Sequence, residues 1–197
     1  SIAIEVMRTI GVVQARMAST RLPGKAMLSL DCTPVVRHIV RRCHVADEID
    51  DIVVATTEKD RDDVIAQYAK KEGGQVFRGD ESDVLGRVYR AAEVNGADVV
   101  VRITSDNPLT SPIVIDSAVQ MINQGEYDYV SNKIDRTFPA GLDVEVFTFD
   151  SFDSVEQRTD DPNDREHVTP YYRNSGEFDL ANLQSTEVFE EEFMQDR

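Results

Sequence analysis

The run DVVVRIT at residues 98–104 sets the tightest limit on what this chain can fold into. Val99, Val100, Val101, Ile103 and Thr104 are β-branched, so their side chains suit a pleated strand better than a helix. A continuous apolar run of this length, without alternation, matches a strand covered on both faces. Such a strand sits in a parallel sheet with helices on either side. The flanking sequence supplies the other parts. Residues 9–14 (TIGVVQ), 51–56 (DIVVAT) and 75–79 (QVFRG) read as further strands. Residues 33–46, 60–73, 83–96 and 112–125 carry helical spacing, with Ser82 expected as N-cap of the third helix and Pro112 opening the fourth. This strand–helix alternation predicts an α/β domain built on a mostly parallel mixed sheet flanked by helices, Rossmann-like in outline.

The second half is less regular. Strands are expected at residues 127–132, 141–149 and 178–185, with a helix near 150–158. The whole reads as one domain over residues 9–185, with an N-terminal extension at 1–8 and an acidic C-terminal tail at 186–197. In sheets of this kind ligands bind beyond the carboxyl ends of the strands. Two segments fall at that edge: the loop after the first strand, and SDNPL at residues 105–109.

Charge separates the first of these from the rest of the chain. The formal net charge is −16, from 21 basic and 37 acidic residues. Yet residues 1–45 hold seven basic residues against two acids, and the stretch QARMASTRLPGK, residues 14–25, contains Arg16, Arg21 and Lys25 with no acid. A local basic loop in an acidic chain points to an anionic ligand, and triphosphate oxygens suit Arg, Lys and backbone N–H groups together. The acidic background argues against nucleic acid as a partner. No apolar run approaches the roughly 20 residues of a membrane span, so no membrane partner is expected either. Cys32 and Cys43 are too few for a disulfide framework, and the expected compartment is a reducing cytoplasm.

Only five of the basic residues are lysines. An acid-rich, lysine-poor surface suggests a halophilic protein, for which salt screens self-repulsion. The melting temperature is expected to rise as KCl increases from dilute buffer toward molar levels. A flat or falling curve would reject that reading.

The loop is neither a Walker A motif nor a G-x-G-x-x-G fingerprint. Asp106, before Asn107-Pro108, fits either an Asx turn or a hard carboxylate sharing Mg²⁺ with phosphate oxygens. Asp143 and Glu145, two apart in an expected strand, should lie on one face. Arg136 and Arg165 offer cations for a substrate carboxylate, and His167 offers an imidazole.

QARMASTRLPGK closely resembles the signature loop of the cytidylyltransferases that activate acidic sugars, including those making CMP-3-deoxy-manno-octulosonate and CMP-acylneuraminates. A fuller resemblance is to the spore coat polysaccharide biosynthesis protein F family. It extends through FRGDESDVLGRVYRAA (77–92), VVRITSDNPLTSP (100–112), FPAGLDVEVF (138–147) and DREHVTPYYRN (164–174). The resemblance implies the nucleotide-diphospho-sugar transferase fold and transfer of CMP from CTP to a sugar, in surface polysaccharide or glycan synthesis. It further implies nucleotide contacts from Ala15, Arg16, Ser19, Arg21, Lys25, Arg78 and Gly79. Arg16, Lys25 and Asp106 would be the catalytic set, with Mg²⁺ on Asp106. The sugar would meet Arg136, Asp143, Glu145, Arg165 and His167.

Two departures stand out. The Asp-containing VDTPEDL-like stretch that serves the metal site in related enzymes has no match after Ser185: either the chain is truncated or diverged there, or Asp143 substitutes as the second metal carboxylate, or catalysis is impaired. Cys32 stands where the family has Gly. The partners expected are CTP and a small sugar, and a homodimer is compatible with the reading. Two other readings remain open. One is a glycosyltransferase of the related fold, for which SDN only partly matches the D-x-D metal motif. The other is a nucleotide-binding domain without turnover.

Overall fold

The structure is a computed structural model that describes residues 7–19 and 22–189. The first strand and its neighbours form as the apolar runs require: β1 (Thr9–Gln14), a short hairpin of β2 (Ser29–Leu30) and β3 (Thr33–Pro34), α1 (Val35–Cys43), β4 (Asp51–Thr57), α2 (Asp63–Lys71), β5 (Gln75–Gly79), α3 (Val84–Val94), β6 (Val99–Thr104) and α4 (Pro112–Ile122). The second half adds β7 (Tyr129–Ser131), β8 (Glu145–Thr148), α5 (Phe149–Arg158), α6 (Pro162–His167), α7 (Pro170–Ser175), β9 (Leu180–Asn182) and α8 (Ser185–Val188).

Among the described residues, seven strands make one sheet in the order β5-β4-β1-β6-β8-β7-β9. β1 pairs in parallel with both β4 and β6, and β5 is parallel to β4. β8 runs antiparallel to both β6 and β7. The mixed, mostly parallel sheet is therefore the one the alternating pattern predicts. The run at residues 98–104 occupies its centre.

Strand alternation divides the core into two layers. Val13, Val54, Val101 and Val146 face a cluster closed by Val36, Ile39, Ile65 and Ile115, from α1, α2 and α4. Their chain neighbours Val12, Val53, Val100 and Phe147 face the other way, onto Leu85, Val88, Phe152 and Tyr172 from α3, α5 and α7. Each central strand is thus buried on both faces, and full burial of each such side chain contributes roughly 1.5–3 kcal/mol.

Local starts and stops refine the sequence reading. The cap of α3 is Asp83, not Ser82: its carboxylate accepts the Gly86 N–H at 3.0 Å, while Ser82 hydrogen-bonds Asp80. Gly86 is required there, because a Cβ would collide with the Asp83 carboxylate and the Arg165 guanidinium lying over it. α6 is capped by Asp161 and begins at Pro162. It ends at Val168, whose φ of 73° is a strained backbone for a β-branched residue. Val168 is fully buried in the second core layer. That burial anchors the turn that carries His167 and Thr169. No helix among the described residues is long and apolar enough to cross a membrane.

The β2–β3 turn places Asp31 and Cys32 at φ 50° and 59°. The left-handed region costs a non-glycine residue about 1–2 kcal/mol, so glycine is the residue this turn favours. Cys32→Gly is therefore expected to raise stability by up to about 1 kcal/mol. It should also abolish reaction of the native chain with Ellman's reagent. Cys32 is exposed, whereas burial pushes the Cys43 thiol up to about 12, where thiolate is scarce at neutral pH. Undiminished labelling of the native variant would show that Cys43 is reachable after all.

Candidate active site

The carboxyl ends of β1 and β6 open into a cleft, as the parallel topology demands. The basic loop leaves β1 at Ala15 and is tied down by backbone. Ala15 N–H donates to Ala55 O at 3.2 Å, and Met17 N–H donates to the fully buried Asp62 carboxylate at 2.7 Å. The loop closes where Gly24 N–H donates to Met17 O at 2.7 Å. Gly24 sits at φ 72°, a conformation that favours glycine. The chain then makes a short 3-10 turn at Lys25–Met27.

A cavity of about 200 Å³ lies under this loop and is lined by Ala15, Arg16, Ser19 and Lys25 from the loop itself. Arg16 is held by the Glu81 carbonyl at 3.0 Å, and its guanidinium comes within 4.0 Å of Glu166. Lys25 Nζ donates to Asp106 Oδ2 at 2.9 Å across the cleft. Asp106 also accepts from the Thr104 hydroxyl. Burial would raise the Asp106 carboxyl, but the bonds from Thr104 and Lys25 and the Lys25 charge outweigh it and hold it below the usual carboxylate range. Arg21 and Thr20 lie outside the described residues.

A second cavity of about 510 Å³ abuts the first. Arg102, Thr104, Asp106 and His167 line both. Asp143 also lines the second cavity, together with Lys133 and Arg173. The site residues expected from sequence are therefore divided by the fold. Ala15, Arg16, Ser19, Lys25 and Asp106 meet around the first cavity, and Asp143 and His167 join Asp106 at the second.

Five others are placed differently. Arg78 turns away from the cleft, donating to the carbonyls of Thr57 and Lys59 and pairing with Asp63. Gly79 ends β5 where a Cβ would crowd Phe77 and the Arg87 side chain, and neither Arg78 nor Gly79 lines the two cavities. Arg165 clamps Asp83, and Arg136 pairs with Asp143 at 2.6 Å, so both guanidiniums are already engaged by carboxylates. Asp143 and Glu145 do not share a strand face, because β8 begins only at Glu145. Glu145 points inward and is 3% exposed. Its oxygens accept from Arg102, from the Tyr129 hydroxyl at 2.8 Å and from the Thr169 hydroxyl at 2.6 Å.

The structure adds residues the sequence reading passed over. Arg102 is 6% exposed yet borders both cavities. The signal was present: one charged residue in an otherwise apolar central strand. Arg87, 3% exposed on α3, lines the first cavity and reaches the Asp80 carbonyl at 2.5 Å. Its Nε has no hydrogen-bond partner among the described residues, leaving a buried cation near Arg16 suited to an anionic ligand. Lys133 had no sequence signal beyond being a basic residue close to the FPAGLDVEVF stretch, and Arg173 lies inside DREHVTPYYRN without having been singled out there.

A divalent cation fits this donor set in a limited way. Among the described residues no group of three or more His, Cys, Asp or Glu side chains could hold a metal. Asp106, with Asp143 on the neighbouring cavity wall, offers hard oxygens whose remaining partners would be phosphate oxygens and water. That is the arrangement Mg²⁺ favours with nucleotides.

Comparison with known proteins bears on the same residues. Protein MJ1063 of Methanocaldococcus jannaschii is 41% identical over 187 residues, covering 94% of this chain and 76% of that protein. The spore coat polysaccharide biosynthesis protein SpsF of Bacillus subtilis is 34% identical over 171 residues, covering 83% of this chain and 69% of that protein. A solved cytidylyltransferase from Leptospira borgpetersenii superposes with a TM-score of 0.86 at 35% identity, over 90% of this chain and 76% of that one. The family profile described as cytidylyltransferase matches residues 10–195, from the first strand past both cavities. With that span matched and the cleft at the sheet edge where a nucleotide belongs, the chain is a member of the cytidylyltransferase family, a CTP-dependent nucleotidyltransferase.

Proposed function

We propose that this enzyme transfers the cytidylyl group of CTP to a hydroxyl of an acidic sugar, giving a CMP-sugar and pyrophosphate for a surface polysaccharide or glycan. The observation that carries the reading is the pair of abutting cavities that share Arg102, Thr104, Asp106 and His167. One cavity is lined by the basic loop, as a triphosphate needs. The other has Lys133 and Arg173 on its walls, cations suited to a sugar carboxylate.

In this reading Arg16, Ser19 and Lys25 bind the triphosphate, with Ala15 backbone near the base and Arg87 behind the phosphates. Asp106 and Asp143 would hold Mg²⁺, which when bound neutralises phosphate charge and aligns the phosphates. Lys25, bonded to Asp106 at 2.9 Å, orients that carboxylate before the nucleotide arrives. The sugar rests against Lys133, Arg173 and His167, bringing its hydroxyl to the shared wall. The cytoplasm, where CTP is made, is the compartment this activity fits.

Two measurements test the reading. Calorimetry with Mg²⁺ should show CTP binding at least tenfold tighter than ATP or GTP, about 1.4 kcal/mol. Pyrophosphate release from CTP should then appear with 2-keto sugar acids such as 3-deoxy-manno-octulosonate and be absent with neutral hexoses. Equal affinity for all triphosphates, or turnover only with neutral sugars, would reject it.

A further inference from the structure

The pairing of β6 with β8 contains an anomaly. In register, Val100 meets Phe147 and Val101 meets Val146, as befits a buried sheet. The next pair is Arg102 opposite Glu145, and both side chains are buried and joined by an ion pair. A buried ion pair is weak evidence for stability, since apolar residues of similar volume often serve as well or better. A charged pair at the end of an apolar ladder calls for a use other than packing.

The contacts around the pair narrow that use. Arg102 Nε donates to Gln14 Oε1 at 3.0 Å, and Nη1 donates to Glu145. Nη2 makes no hydrogen bond among the described residues, and the Arg102 side chain lines both cavities. Glu145 is itself fixed by Tyr129 and Thr169 and lies 3.6 Å from Lys133. The guanidinium is thus locked at two nitrogens and open at the third, at the wall the two cavities share.

We infer that Arg102 is a catalytic residue of the transfer: its open nitrogen meets the α-phosphate where the sugar oxygen attacks and stabilises the charge that builds on the non-bridging oxygens. The inference rests on the transfer reaction read above. The sugar oxygen forms a bond to the α-phosphorus, and the bond from that phosphorus to the bridging oxygen breaks. Pyrophosphate leaves with the electron pair, and the hydroxyl proton passes to solvent. A rigid donor aimed at developing charge does not reorganise as the reaction proceeds, which is the condition under which such donors matter most.

The test separates transition-state stabilisation from binding. In Arg102→Lys the buried positive charge and its Glu145 partner persist, but the three-nitrogen fork is lost. Arg102→Met removes the charge. With Mg²⁺, each variant is assayed for CTP affinity by calorimetry and for pyrophosphate release with 3-deoxy-manno-octulosonate. Release is also followed with water alone as the acceptor, at high enzyme concentration. Removing a donor of this kind typically lowers kcat about 100- to 1000-fold, and CTP affinity should stay within about threefold. If Arg102→Met does not fold, Arg102→Lys alone decides. If the sugar gives no turnover with the wild-type chain, the acidic-sugar reading fails, while slow release to water still reports on Arg102. A kcat within about threefold of wild type, or a loss of CTP affinity equal to the loss of rate, would overturn the assignment.

Discussion

Asp106→Ala is expected to lower pyrophosphate release from CTP by about 100- to 1000-fold, the scale on which a preorganised charge at the reacting phosphate matters. Folding stability should move by less than about 0.5 kcal/mol, because the residue is exposed at the end of β6 and, among the described residues, its side chain bonds Lys25 and Thr104 alone. Affinity gives a second, sharper signature. Removing Asp106 takes a negative charge away from the triphosphate and frees Lys25, so CTP without metal should bind as well as before or better. The gain on adding Mg²⁺ should shrink, because one of the two carboxylates that would share the ion is gone. Calorimetry with and without Mg²⁺ distinguishes this from a turn residue of no consequence. If the variant keeps both its rate and its metal dependence, Asp106 is only the Asx-turn residue that its place before Pro108 also permits.

The fold was legible because its strongest signals are local. Each central strand announced itself through β-branched runs, and α4 through Pro112. The basic loop was legible for the same reason, since Arg16, Ser19 and Lys25 lie within ten residues and carry their own turn at Gly24. What periodicity hid was side-chain placement set by register and by neighbouring elements. Asp143 and Glu145 look like a pair on one strand face, but β8 starts at Glu145 and leaves Asp143 before it, and Glu145 follows the pleat inward to face Arg102. Arg78 and Arg165 carry the same charge as Arg16, and only the fold shows that carboxylates on neighbouring elements already engage them. Arg102, Lys133 and Arg173 come from three separate segments, so no spacing rule joins them. Side chains that converge from distant positions are invisible to periodicity.

Glu145 carries the largest expected effect on stability. Glu145→Ala should destabilise the fold by about 3–5 kcal/mol, because it leaves the Arg102 guanidinium buried without its counterion and strips partners from Tyr129 and Thr169. The same site predicts an acid transition. Burial alone would raise the Glu145 carboxyl, but the charges of Arg102 and Lys133 and the bonds from Thr169 and Tyr129 outweigh it, lowering it from 4.5 to about 2. As pH falls, the unfolded chain therefore takes up this proton before the folded one does. The contribution is complete above pH 4.5 and is lost progressively toward pH 2, at no more than about 1.4 kcal/mol per pH unit for one proton. Glu145→Gln has no proton to gain, so its stability between those values should fall less steeply with acid than that of the wild type. Denaturant melts at half-unit steps across the interval measure the difference. Parallel acid limbs would mean that the carboxyl takes up its proton equally in the folded and unfolded chains, so that Arg102 and Lys133 do not hold it below its ordinary range.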